Sequence, residues 1–189
     1  MASLGGVILA GGKSSRMGSP KAFLEIDCEY FISRIYRTLS EVFDSVTIIE
    51  SERTNRYTFL TGQVFPDVYK DCGPLAAIHS AFVNSRNDVL FVASCDIPLL
   101  TVSLIDKLTS AYWGYEAIVP RTSEGVHPLC AVYHRDCMAK IDDYLKDGGR
   151  SIKGFLKQVN VLCIDLGPDE AKCLANVNTP EEYKVLLSS

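Results

Sequence analysis

Leu4–Ala10 and Val89–Ala93 are apolar at consecutive positions, without the alternation of a strand that shows one face to water. Strands of this kind are covered on both faces. Between such runs lie stretches with apolar residues at helical spacing. In Tyr30–Phe43 these are Ile32, Ile35, Leu39 and Phe43, with Tyr36 alongside; in Pro74–Val83 they are Leu75, Ile78 and Phe82. Further strands are expected at Val46–Ile49, Gln63–Phe65, Ala117–Val119, Leu129–Tyr133 and Val161–Ile164, and further helices at Ser103–Tyr112, Cys137–Leu145 and Ile152–Val159. A last helix opens with Thr179 as N-cap, Pro180 at its first position and Glu182 completing a capping box. This alternation predicts an α/β fold with a mostly parallel sheet between helical layers. Ligands of such sheets bind beyond the C-terminal strand ends, so chemistry is expected just after Ala10, Phe65 and Ala93.

The chain has 189 residues and no repeat or linker composition, which suits a single domain over residues 1–189. Its net charge is -4 and no Lys/Arg run occurs, which argues against a nucleic-acid partner. A small anionic ligand needs only a few local donors. The apolar run Val7–Ala10 is too short for a signal sequence or a membrane span, so a cytoplasmic location is expected. The seven cysteines are odd in number and form no Cys-x-x-Cys; they read as reduced thiols rather than as disulfides or metal ligands.

Directly after the first strand comes Gly11-Gly12-Lys13-Ser14-Ser15-Arg16-Met17-Gly18-Ser19-Pro20-Lys21. Glycines let backbone N–H groups approach phosphate oxygens, and Lys13, Arg16 and Lys21 supply cations for a triphosphate. The dinucleotide fingerprint is excluded by glycine spacing. The P-loop is excluded because Val7 stands where its first glycine belongs. Asp96, in Ser94-Cys95-Asp96-Ile97-Pro98, emerges at the end of the Val89–Ala93 strand, where a carboxylate can hold Mg²⁺ against phosphate; as a bare sequence it also fits a turn before Pro98. Gly73-Pro74 begins a helix whose N-terminus suits a phosphate or a carbonyl, and a plain turn into a helix fits equally well.

Leu9-Ala10-Gly11-Gly12, then Arg16-Met17-Gly18 and Lys21, resembles the signature of the GT-A-type nucleotidyltransferases, and Cys95-Asp96-Ile97-Pro98 resembles their metal-binding segment. The resemblance implies a three-layer Rossmann-like fold and a loop wrapped around a nucleoside triphosphate. Gly73-Pro74-Leu75-Ala76 after an Asp-bearing loop, His127-Pro128, Gly149-Arg150 and Asn176-Val177-Asn178-Thr179-Pro180-Glu181-Glu182 narrow it to the molybdenum cofactor guanylyltransferases. Membership implies transfer of GMP from GTP to molybdopterin, with Mg²⁺ on Asp96. Lys21, Arg16 and Asp96 are the implied catalytic residues. Leu9, Ala10, Gly11, Gly12, Lys21, Asp67, Gly73 and Asp96 are implied to bind nucleotide, with Asp71 the substitute for Asp67. Arg150, Asn176 and Asn178 are implied to face the pterin, and transient contact with molybdoenzymes or their chaperones is expected. The family's Asn after the second strand is missing: the segment reads Ile49-Glu50-Ser51-Glu52, with no Asn until Asn55. A cytidylyltransferase of the same fold is the nearest alternative, and a nucleotide-binding regulator without turnover is the alternative from another class.

Overall fold

The computed structural model describes residues 2–11, 20–51, 54 and 56–188. In chain order the strands are β1 (Leu4–Leu9), β2 (Glu25–Ile26), β3 (Glu29–Tyr30), β4 (Val46–Glu50), β5 (Gln63–Pro66), β6 (Val89–Ser94), β7 (Ala117–Thr122), β8 (Gly125–Val126), β9 (Cys130–His134) and β10 (Val161–Asp165). The α-helices are α1 (Phe31–Ser40), α2 (Pro74–Asn84), α3 (Val102–Thr109), α4 (Cys137–Lys146), α5 (Ile152–Phe155), α6 (Pro168–Ala171) and α7 (Pro180–Leu187). The main sheet runs β10-β7-β9-β6-β1-β4-β5, with β8 paired to β7. The β1, β4, β5 and β6 pairings are parallel, as is β7 with β10; β9 runs antiparallel to both its neighbours. The sheet is thus mixed but mostly parallel, in agreement with the expected α/β class.

Consecutive apolar residues feed opposite faces, as the sequence demands. Ile8, Phe91 and Ala93 pack with Ile32, Ile35 and Leu39 of α1 and Leu104, Ile105 and Leu108 of α3. Val7, Leu9, Leu90 and Val92 pack with Leu75, Ile78 and Phe82 of α2 and Ile141 and Leu145 of α4. A smaller cluster joins Ile26, Phe31 and Val177 to Tyr183 and Leu186 of α7.

Several boundaries differ from expectation. The stretch Tyr30–Phe43 is helical only over Phe31–Ser40, because Tyr30 belongs to the hairpin β2–β3. Phe43 still packs in the core. The hairpin turns on Asp27 and Cys28, both with positive φ (54° and 62°), a primed turn without its usual Asn-Gly signal. The stretch Ile152–Val159 divides into α5 and a 3₁₀ turn, Leu156–Gln158.

Arg135 closes the end of α2 against β9. It donates to the carbonyls of Phe82 (3.1 Å), Ser85 (2.7 Å) and Asn87 (2.6 and 3.0 Å), and its guanidinium lies 5.5 Å from the Phe82 ring centroid. Arg135→Ala strips three partly buried carbonyls of a charged donor and is expected to destabilise the fold by about 3 kcal/mol, read by urea unfolding.

Candidate functional site

The strand order reverses at β1. Its successor β4 lies on one side and β6 on the other, which opens a crevice at their carboxyl ends. There Leu9 is paired with Ser94, Cys95 N–H donates to Leu9 O at 3.2 Å, and Ala10 N–H donates to Ile49 O at 2.8 Å. The loop that starts at Ala10 therefore leaves from between two strand ends. A Cβ on Gly11 would stand 3.2 Å from both the backbone N and the Oγ of Ser51, a close approach that suits glycine. Gly12, Lys13 and Arg16 lie outside the described residues.

Lys21 begins a 3₁₀ turn, Lys21–Phe23, closed by Phe23 N–H and Leu24 N–H on the carbonyls of Pro20 and Lys21. Ala22 is buried, and Phe23 stacks on Tyr57 with centroids 5.6 Å apart and meets Tyr30 edge-on. This anchoring brings Lys21 Nζ to 3.0 Å from Asp96 Oδ2, with both side chains under a fifth exposed (17% and 18%). Ser94 Oγ donates to the other carboxylate oxygen, Asp96 Oδ1. Lys21 Nζ also donates to Asn178 Oδ1. Val177 N–H donates to Asp96 O at 3.0 Å, which docks the C-terminal segment on the end of β6. Three positions remote in sequence, Lys21, Asp96 and Asn178, thus share one point. Among the described residues no group of three His, Cys, Asp or Glu side chains could hold a metal. A lone carboxylate at the crevice nevertheless fits a hard cation that takes its other ligands from phosphate and water.

Asp67 follows β5, and its N–H donates to Glu50 O at 2.9 Å. Its Oδ1 is buried and has no hydrogen-bond partner among the described residues. Burial raises its pKa to about 6, and the Ser80 hydroxyl offsets only part of that shift. The loop from Asp67 to Gly73 is pinned to α2 by Val68 N–H on Ser80 Oγ (2.8 Å) and to α4 by the Tyr69 hydroxyl on Asp142. Gly73 has φ 77°, which favours glycine, and gives α2 its N-cap.

Arg150 sits at the Gly73 loop. Its carbonyl lies 4.0 Å from where a Gly73 Cβ would be, and its guanidinium donates to Leu145 O and Gly149 O. Asn176 and Asn178 instead line a cavity of 370 Å³ with Thr122, Glu124, His127 and Glu182, whose walls do not include Arg150. His127 Nε2 lies 2.8 Å from Thr122 Oγ1. Of that wall the sequence offers His127, through His127-Pro128, but not Thr122 or Glu124, because β8 has only two residues and no periodicity.

The missing Asn has a structural counterpart of a different kind. Glu50 is buried and its carboxylate accepts from Thr54 N–H (2.9 Å) and Thr54 Oγ (2.7 Å), so it is engaged by its own chain. Ser51 is the residue brought against Gly11. Asn55 lies outside the described residues.

Residues 6–161 match the model of the MobA-like NTP transferase domain. The chain belongs to that family. A relative from Clostridium perfringens (strain 13 / Type A), named "Probable molybdenum cofactor guanylyltransferase", is 33% identical over 95% of this chain and 94% of its own length. The crystal structure of molybdopterin-guanine dinucleotide biosynthesis protein A from Archaeoglobus fulgidus superposes with a TM-score of 0.85 at 20% identity, covering 97% of each chain. A Mycobacterium tuberculosis H37Rv protein crystallised with manganese superposes at 0.71 and 19% identity, covering 99% of each chain. The three-layer nucleotidyltransferase fold implied by the sequence is therefore the fold of the chain.

Because burial raises Asp67's pKa from 3.8 to about 6, the folded chain holds that proton more tightly than the unfolded chain. The stability this gives is complete below pH 3.8 and is lost as pH rises through about 6. Asp67→Asn, which does not ionise, is expected to be more stable than the parent by about 1 kcal/mol at about pH 8, after allowance for solvent screening. The advantage should vanish in acid, as read by urea unfolding across pH.

Proposed function

We propose that this chain, one nucleotidyltransferase domain over residues 1–189, transfers GMP from GTP to the terminal phosphate of molybdopterin, with or without bound molybdenum. A phosphate oxygen of the acceptor attacks the α-phosphorus of GTP, the bond from that phosphorus to the bridging oxygen of the β-phosphate breaks, and pyrophosphate leaves with those electrons. The nucleophile is already an anion, so no strong general base is required. Catalysis rests on alignment and on charge stabilisation.

The observation that carries this reading is the meeting of Lys21 with Asp96 at the β1–β6 crevice, 3.0 Å apart and largely shielded. In our reading the backbone of Leu9, Ala10, Gly11 and Gly12, with Arg16 and Lys21, binds the triphosphate. Asp96 would hold Mg²⁺, and the ion would neutralise phosphate charge. Asp67 and Gly73 receive the nucleoside. The unpartnered Asp67 Oδ1 supports a guanine assignment, since the N1–H and N2–H edge of guanine offers donors to a carboxylate. Asn176 and Asn178 face the acceptor from the 370 Å³ cavity. Arg150, whose carbonyl stands beside Gly73, would reach the pterin from the side of the nucleoside loop. The product would pass to molybdoenzymes or their chaperones in the cytoplasm. No helix among the described residues is long and apolar enough to cross a membrane.

Asp96→Ala keeps the backbone bond from Val177 and should leave the fold intact, while product formation from GTP and molybdopterin falls by at least about 100-fold. Near-normal turnover would sink the metal assignment. In a thermal-shift titration with Mg²⁺, GTP should raise the melting temperature more than CTP does; the reverse order would make the chain a cytidylyltransferase.

A further inference from the structure

Asn178 lies in a segment assigned above to the acceptor side, yet its side-chain oxygen accepts from Lys21 Nζ. An ammonium has only donors, so the amide oxygen rather than its nitrogen must face it. The backbone of Asn178 is fixed in turn. Its N–H donates to Glu182 Oε2 at 2.5 Å, and Thr179 N–H donates to the same oxygen at 3.1 Å. An ordinary capping box needs only the second of these bonds; the first holds Asn178 itself. On one side Val177 N–H is bonded to Asp96 O. On the other, the Tyr183 hydroxyl donates to Glu25 O at 2.6 Å, just past the Lys21–Phe23 turn. The segment is therefore fastened both to Asp96, just after β6, and to Glu25 of β2, just after the turn that carries Lys21, although it lies beyond residues 6–161 of the family match.

We infer that Asn178 is a positioning residue for the triphosphate: it keeps the Lys21 ammonium at the strand ends, also where Asp96 would hold a cation, and Glu182 acts through it. A lysine stem has four rotatable bonds, so an ammonium that is not held spreads over many positions and loses the benefit of alignment. This inference rests on the reading of Lys21 as a phosphate-binding group.

The test is calorimetric titration of the full chain with Mg²⁺–tripolyphosphate and with Mg²⁺–GTP, in the absence of acceptor. Lys21→Met should weaken both, and Asn178→Ala should weaken both by about tenfold. Glu182→Gln should show a smaller loss in the same direction. In the Lys21→Met background, Asn178→Ala should have no further effect, since its influence passes through the ammonium. A general loosening of α7 would instead weaken binding in both backgrounds, and that result overturns the inference. So does parental affinity in Asn178→Ala, the outcome expected if Asn178 touches the acceptor alone. If Lys21→Met binds tripolyphosphate as well as the parent, the phosphate role of Lys21 fails, and the inference fails with it.

Discussion

The parallel pairing of β1 with β6, from Leu4 against Val89 to Leu9 against Ser94, is the constraint on which the site depends. Both strands are covered on both faces, so a shift of register would drive buried side chains against the wrong helical layer. Register fixes which residues leave the sheet together. Ala10 and Cys95 do so here, and the loops that follow carry Gly11 and Asp96 to one crevice. No contact within either loop is needed to bring them there. The reversal of strand order at β1 supplies the gap, and the sheet supplies the alignment.

On this frame the Lys21–Asp96 pair is a poor device for stability. Desolvating two charges offsets most of their attraction. Its value lies in charge placement. On the proposed reading the ammonium would turn to phosphate and the carboxylate would hold the cation, so neither charge would be left buried alone. Asp67 shows the same bias. Its carboxylate is strained by burial, to the extent that its pKa reaches about 6, and its Oδ1 lacks a partner among the described residues. A fold selected only for stability would place Asn or Ser there.

The parts of this architecture legible in the sequence are those governed by local pattern. Unbroken apolar runs located β1 and β6, helical spacing located α1 and α2, and the Thr179–Glu182 capping box forms as read. Gly73 at φ 77° justifies its residue type. What was not legible depends on contact between distant segments. The hairpin β2–β3 uses Asp27 and Cys28 where a turn signal would be Asn-Gly, and β8 is too short to carry a period. The Phe23–Tyr57 stack that sets the Lys21 turn joins residues with no shared motif. The approach of the Arg150 carbonyl to Gly73 likewise joins two segments that no local pattern links.

Sequence separation also explains why Asn178 could be read as an acceptor residue only. Its neighbours make a good helix cap, and a cap satisfies every local criterion for that segment. The second use appears only when Val177 is seen bonded to Asp96 and Lys21 is seen between Asp96 and Asn178. One short segment then has two faces. Asn176, Asn178 and Glu182 border the cavity, and Asn178 also accepts from the ammonium. A residue placed at such a boundary links the filling of one subsite to the geometry of the other. On the proposed reading, in which two anionic substrates meet in line, such a linkage would favour their alignment.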